Sequence, residues 1–284
     1  MTLREVALFL LRALRFLARR FGDTVLMRHK VTLCVFLLVL VFNRYKQSGL
    51  RLYFKKSLKS VSLVQKTRLE QMVFRPSVLF SGRHAQSLLP LILAPLTARF
   101  DQGYSLEREM LPLADGGEIA LDWAVPKEVD DLIDLKDLPV LGLVPGISGE
   151  HFDLYMQSAI AEGVRAGYCV VVVNHRGARN TELLTPRLYH AGMTDDLREA
   201  VAYIRERQRG RDLFLAGFSM GANMLAKYLA EEGGRSRIKG AFCVSPPFDL
   251  DVVGDHIEDY LSGFYHYAIA LPYKARYRRN KEML

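Results

Sequence analysis

Four short runs between residues 139 and 245 are apolar at nearly every position: PVLGLV (139–144), YCVVVVN (168–174), DLFLAG (212–217) and GAFCVS (240–245). A strand with one face in water alternates polar and apolar residues, so runs without that alternation suit strands covered on both faces. Between them lie stretches with the apolar spacing of helices. DLYMQSAIAEGVRA ends before Gly167, TDDLREAVAYIRERQ opens on Thr194 as N-cap, and ANMLAKYLAEE ends before Gly233. Upstream, YSLEREMLPL (104–113) and EIALDWAV (118–125) flank Asp115, Gly116 and Gly117, residues with the chemistry of a hairpin turn. A hairpin followed by successive strand–helix–strand units predicts an α/β fold with a mostly parallel sheet and helices on both faces. No repeat or low-complexity tract interrupts the pattern.

At 284 residues, half of them hydrophobic, the chain is long enough for one large α/β domain or two small ones. Its net charge of +8 is unevenly placed. Residues 1 to 60 hold thirteen Lys and Arg against Glu5 and Asp23, an excess of +11, which leaves −3 on the remaining residues. A mildly acidic body argues against nucleic acid as a partner. Cys34, Cys169 and Cys243 sit in apolar runs without metal-ligand spacing, so neither a disulfide framework, nor a metal site, nor any cofactor is expected.

The basic excess surrounds residues 31 to 42, VTLCVFLLVLVF, apolar apart from Thr32. At about 1.5 Å per residue the run covers only roughly 18 Å of a hydrocarbon core about 30 Å thick. Extended back to Thr24 it reaches spanning length if Arg28, His29 and Lys30 reach toward headgroups. The expectation is therefore a membrane-anchoring arm over residues 1–46 with its apolar segment at about 24–42, a single N-terminal anchor in an endomembrane. A cleaved mitochondrial presequence and an ordinary core helix are the alternatives. Residues 47–96 read as linker and entry, 97–256 as the α/β core, and 257–284 as the start of an aromatic-rich lid.

LFLAGFSMGANML (213–225) places a hydroxyl where the third apolar run meets the third helical stretch. Gly217-Phe218-Ser219-Met220-Gly221 is G-x-S-x-G at a strand-to-helix junction, the context of a nucleophile elbow, in which the serine adopts a strained backbone and projects its Oγ above the sheet. The plain alternative is a tight β-to-α turn. The helix start offers an amide, that of Met220, to a developing oxyanion. A second donor is expected after the first apolar run, where Pro145 and Gly146 turn the chain and present the amide of Ile147.

Together with HAQSLLP near residue 84, the segments VPGISGEHFDLYM, VVVNHRGARNTELLTPRLYHAGMTDDLREAVAYI and LAGFSMGANMLAKYLAEEG resemble the membrane-anchored α/β-hydrolase-domain-containing proteins related to the bacterial YheT-like hydrolases. The resemblance runs from about Ser81 to Asp249. It implies an α/β-hydrolase fold, an N-terminal membrane anchor, and a serine hydrolase acting on lipid esters such as acylglycerols or phospholipids. It assigns the nucleophile to Ser219, the oxyanion roles to Met220 and Ile147, and the elbow glycines to Gly217 and Gly221.

The family's D-D-P acid motif and G-G-H histidine motif are absent from this sequence, so the fold is expected to be incomplete at its C-terminus and the activity impaired. His256 or His266, with Asp249 or Asp251, are the substitutes to consider; His151 lies beside the oxyanion loop. His190 and Asp195 spell H-x-x-x-x-D, a spacing associated with acyltransferases. Arg176 and Arg187 are candidates for a phosphate headgroup, and Tyr260, Phe264, Tyr265 and Tyr267 for an acyl channel. The readings to test are thus a lipid ester hydrolase, a non-catalytic interaction or decoy protein, and an acyltransferase. An apolar strand left at the sheet edge is expected to invite aggregation.

Overall fold

A computed structural model describes residues 48–74, 86, 103–127, 137–147, 153–178, 181–259 and 263–284. The chain divides into two compact units, Met1–Leu93 and Ala94–Leu284. In the first, β1 (Ser48–Gly49) pairs antiparallel with β2 (Val73–Phe74), and α1 (Leu58–Thr67) lies between them in sequence. The helix starts where Ser57 is extended and its Oγ accepts the Ser60 amide at 3.2 Å; it stops at Arg68, which takes the left-handed conformation. This segment, read above as a linker, carries a helix with only Val64 buried.

The second unit holds a six-stranded sheet: β3 (Tyr104–Pro112), β4 (Glu118–Pro126), β5 (Val140–Val144), β6 (Cys169–Val173), β7 (Leu213–Phe218) and β8 (Gly240–Val244), in the order β3-β4-β6-β5-β7-β8. The expected hairpin forms as β3 and β4, with Gly116 at φ 82° in the turn and the Gly117 amide donating to Asp115 Oδ1 at 3.0 Å. It meets β6 antiparallel, whereas β5–β6, β5–β7 and β7–β8 are parallel. The sheet is mostly parallel in its later strands, as the apolar runs require.

Side-chain alternation explains why those runs carry so few polar positions. Val171 and Val173 pack on one face with Leu213 and Leu215, under Leu197, Val201 and Ile204 of α3 (Asp195–Arg207) and Leu225 and Tyr228 of α4 (Met220–Glu232). Val170 and Val172 point the other way, against Met156 and Ile160 of α2 (Leu154–Arg165). Thr194 does precede α3, but its hydroxyl donates to Glu231 Oε2 at 2.6 Å instead of capping the helix, tying α3 to α4. Two further helices follow β8, α5 (Leu250–Asp259) and α6 (Phe264–Asn280).

The topology also decides where loops converge. β5 leads to β6 on one side and β7 leads to β8 on the other, so the helices that follow β5 and β7 pack on opposite faces, the arrangement at which sheets of this kind place their ligands. At the far edge of the described sheet, β8 shows Phe242 69 % exposed.

The expected localisation at a single N-terminal anchor requires correction. Among the described residues no helix is long and apolar enough to cross a membrane. The longest, α6, has 17 residues and carries Lys274, Arg276, Arg278 and Arg279. The segment at 24–42 lies outside the described residues.

Candidate active site

β7 ends at Phe218, α4 begins at Met220, and the single residue between them, Ser219, has φ 51° and ψ −117°. That backbone region is costly for any residue with a side chain, by about 1–3 kcal/mol, and needs surroundings that enforce it. Two glycines supply them. A Cβ on Gly217 would lie 2.7 Å from the Gly221 carbonyl oxygen and 2.8 Å from Ala222 Cα, and one on Gly221 would lie 2.2 Å from the Pro145 oxygen. Strand, helix and β5 loop therefore approach more closely than any other residue pair would permit. The corner is held by the Ser219 amide, which donates to Val244 O of β8 at 2.9 Å, and by Asn223 N, which donates to Ser219 O at 3.1 Å. The Ser219 side chain is exposed.

The Met220 amide opens α4 and is among the four that have no acceptor inside a helix. Pro145, Gly146 and Ile147 follow β5, and a Cβ on Gly146 would sit 3.3 Å from Ser219 Cβ. Two contacts fix this loop. Tyr155, in the first turn of α2, accepts the Gly146 amide on its hydroxyl at 3.0 Å, and its ring lies tilted on Phe218 at 5.2 Å. His175, just after β6, places Nε2 3.0 Å from the Pro145 carbonyl oxygen. A carbonyl only accepts, so Nε2 carries the proton. Burial pushes the imidazole down to about 4, helped by the Arg276 guanidinium, and the ring is neutral. It stacks on Tyr189 at 4.4 Å.

An apolar wall adjoins the corner. Tyr189, Met193, Met220 and Met224 are buried together, with Ile147, Ala191 and Tyr273 packed against them. Tyr273 comes from α6; its hydroxyl lies 3.2 Å from Met220 Sδ and its ring 5.6 Å from Tyr189. α6 is held there by Arg276 over the Tyr189 ring at 4.8 Å and by Arg279, which donates to Gly177 O and Ala178 O at 2.5 and 3.1 Å.

Of the residues singled out in the sequence, Ser219, Gly217, Gly221, Met220 and Ile147 are brought together at this corner. Others are occupied elsewhere. Arg176 is fully buried, donating to both oxygens of Asp196 at 2.8 and 2.5 Å and to Asp115 at 2.9 Å, which removes it from phosphate binding. Arg187 pairs with Asp195 at 2.7 Å. Asp195 also meets Arg198 at 3.3 Å, and His190 Nδ1 accepts the Gly192 amide at 3.2 Å. His256 bonds the Val252 carbonyl of its own helix at 2.9 Å, and Asp249 accepts the Val252 amide at 3.0 Å. His266 and Tyr267 are exposed on α6, where Phe264 packs edge-on to Tyr265. His151 and Tyr260 lie outside the described residues. Sequence reasoning missed Tyr155, His175, Tyr189 and Tyr273. Only His175 carried a signal, its position just past the end of β6, where loops of such sheets gather ligand-facing groups. The depressions of about 650 and 420 Å³ near Arg279 and Arg198 are not lined by Ser219.

A mostly parallel sheet of this order, with a strained serine between β7 and the helix that follows it, has the arrangement of the α/β-hydrolase fold. Residues 139 to 270 match the family model described as alpha/beta hydrolase fold. Among individual proteins, the chain is 35 % identical over 159 residues to the embryogenesis-associated protein EMB8 of Picea glauca, covering 55 % of this chain and 34 % of that one. It is 31 % identical over 150 residues to phospholipase ABHD3 of Mus musculus (53 % and 36 %), and 35 % identical over 113 residues to the monoacylglycerol lipase of Saccharomyces cerevisiae (39 % and 25 %). The chain spans 34 to 40 % of the length of the first curated relatives it matches.

Proposed function

We propose that this chain is a serine hydrolase of carboxylic esters, with Ser219 as nucleophile and the Met220 and Ile147 amides as oxyanion donors. The observation that carries the reading is the backbone of Ser219, φ 51° and ψ −117°, with an exposed side chain on a corner that two glycines make possible. A serine held at that cost has its hydroxyl in a fixed place before any substrate arrives. In the first half-reaction Oγ bonds to the ester carbonyl carbon and the carbonyl π pair moves onto oxygen. The Oγ proton passes to solvent, and collapse of the adduct expels an alkoxide that takes a proton back from water. In the second half-reaction a water oxygen bonds to the acyl carbon as its proton passes to solvent, the carbon–Oγ bond breaks, and Oγ takes a proton back as the carboxylic acid leaves.

Lipid esters are the proposed substrates. Met220, the residue after the serine, is buried with Met193, Met224 and Tyr189, so the corner sits on an apolar cluster of the kind an acyl chain prefers. The names of two similar proteins, a phospholipase and a monoacylglycerol lipase, point the same way.

A specific observation favours a second reading, a non-catalytic interaction protein: the ring nitrogens with assigned partners in His175, His190 and His256 bond to groups other than Ser219. A fluorophosphonate probe decides between them. The hydrolase reading expects covalent labelling of the folded chain that Ser219→Ala abolishes; folded protein that takes no label leaves the interaction protein.

A further inference from the structure

We propose that the Tyr155 hydroxyl is a third oxyanion donor, reaching the acyl oxygen from a side chain while Met220 and Ile147 reach it from the main chain. This rests on the reading of Ser219 as nucleophile.

At Gly146 the β5 loop passes close to Ser219. A Cβ there would lie 3.3 Å from both Phe218 O and Ser219 Cβ and 3.5 Å from the Tyr155 hydroxyl. Serine and phenol thus stand on either side of Gly146, where a side chain would crowd the loop against Phe218 and Ser219. The phenol is fixed beside it, since its ring lies 5.2 Å from that of Phe218, the residue before the serine, and its oxygen accepts the Gly146 amide at 3.0 Å. A phenol has one proton and two acceptor positions. The Gly146 amide fills an acceptor position, so the proton stays available, and an oxygen that accepts a hydrogen bond is polarised into a better donor. Among the described residues no acceptor takes that proton. Burial pushes Tyr155 up to about 12, so the phenol is protonated and able to donate throughout the neutral range.

When Ser219 Oγ bonds to the carbonyl carbon, negative charge collects on the carbonyl oxygen, and the phenol O–H beside Gly146 donates to it. The proton stays on Tyr155 throughout; only its hydrogen bond strengthens as charge develops, which is the condition for lowering a barrier instead of merely binding substrate.

The test is single-turnover acylation of the full chain by a p-nitrophenyl acyl ester, following p-nitrophenolate release and the intact mass of the acyl-protein. Tyr155→Phe is expected to slow acylation roughly 10²-fold while the adduct still forms on Ser219. Because Phe also removes the acceptor for the Gly146 amide, a polyfluorinated tyrosine at 155, whose phenol ionises within the assay range, separates the roles. A donor loses its proton on ionisation, so the rate falls with rising pH; an anchor for the loop becomes a better acceptor, and the rate holds. This residue also stands in where the Phe variant does not fold. Three results would overturn the assignment. Acylation unchanged by Ser219→Ala removes the nucleophile and Tyr155 with it. Acylation that needs Ser219 but ignores Tyr155→Phe removes Tyr155 alone, and so does a flat pH profile for the fluorinated protein.

Discussion

Position 219 sets stability against chemistry, because its backbone lies where glycine is at ease and serine is not. Ser219→Gly is expected to raise unfolding stability by about 1 kcal/mol, the relieved strain exceeding the extra freedom glycine gains in the unfolded chain, while removing all covalent labelling. Urea unfolding of both proteins checks it, and a variant no more stable than the parent would show that the corner is unstrained. Gly221 makes the opposite case. Its missing side chain is filled by the Pro145 carbonyl, a backbone atom that cannot swing aside, so Gly221→Ala is expected to cost about 3 kcal/mol or more and to displace the β5 loop. Arg176 is the third residue whose environment fixes the sign. Replacing it with Leu leaves Asp196 buried without its bidentate partner, a loss of roughly 3–5 kcal/mol in the same assay. Little of this was legible in the sequence. Ser219 was, because glycine, strand and helix are all within a few residues of it. Arg176 was not, because Asp196 and Asp115 lie 20 and 61 residues away, and an arginine after a strand reads equally as a solvated group. Tyr155 and His175 hold the β5 loop by single hydrogen bonds, and neither residue type carries a motif that announces the contact.

Among the elements, the strands were the most legible, since β6 must satisfy two faces at once and its four consecutive valines have no other use. Helix α1 was hidden for the converse reason. It buries only Val64, so the burial that shapes an apolar stripe is almost absent and its polar neighbours dominate the reading. β8 shows how an element's place changes its meaning. Its sequence is as apolar as that of β5, yet at the edge of the described sheet Phe242 stands 69 % exposed, and nearby Phe248 is 78 % exposed. Long apolar edges recruit other strands, and a lysine on such an edge opposes that. Phe242→Lys is therefore expected to lower self-association without lowering stability by more than about 0.5 kcal/mol, as for an exposed site. Sedimentation velocity of the two proteins at matched concentration measures it, and equal association by both would mean that β8 is not the sticky edge.

At the scale of the folded body, pH tests whether the ground beneath the candidate site is a structural unit. His175 joins three parts of the chain: its ring donates to the β5 loop, stacks on Tyr189, and lies close enough to Arg276 of α6 for that charge to disfavour a second one. Burial holds its folded-state value down to about 4, against about 6.5 for an exposed imidazole. Between those values the unfolded chain binds a proton that the folded chain refuses, so acid favours unfolding. The stabilising contribution is complete above the unfolded value, is lost as pH falls from about 6.5 toward 4, and is exhausted below that, at about 1.4 kcal/mol per unit or roughly 3 kcal/mol in all. Carboxylates with lowered values, such as Asp195 beside Arg187, lose their contribution at still lower pH, since both their folded and unfolded values lie under that of the imidazole. Urea midpoints measured between pH 7 and 4.5 should therefore fall steeply for the parent protein and less steeply for His175→Asn, which cannot take up a proton in either state. Parallel profiles for the two proteins would mean that the ring is already accessible to protons in the folded state, and then neither the neutral tautomer nor its grip on the Pro145 carbonyl could be what holds the β5 loop in place.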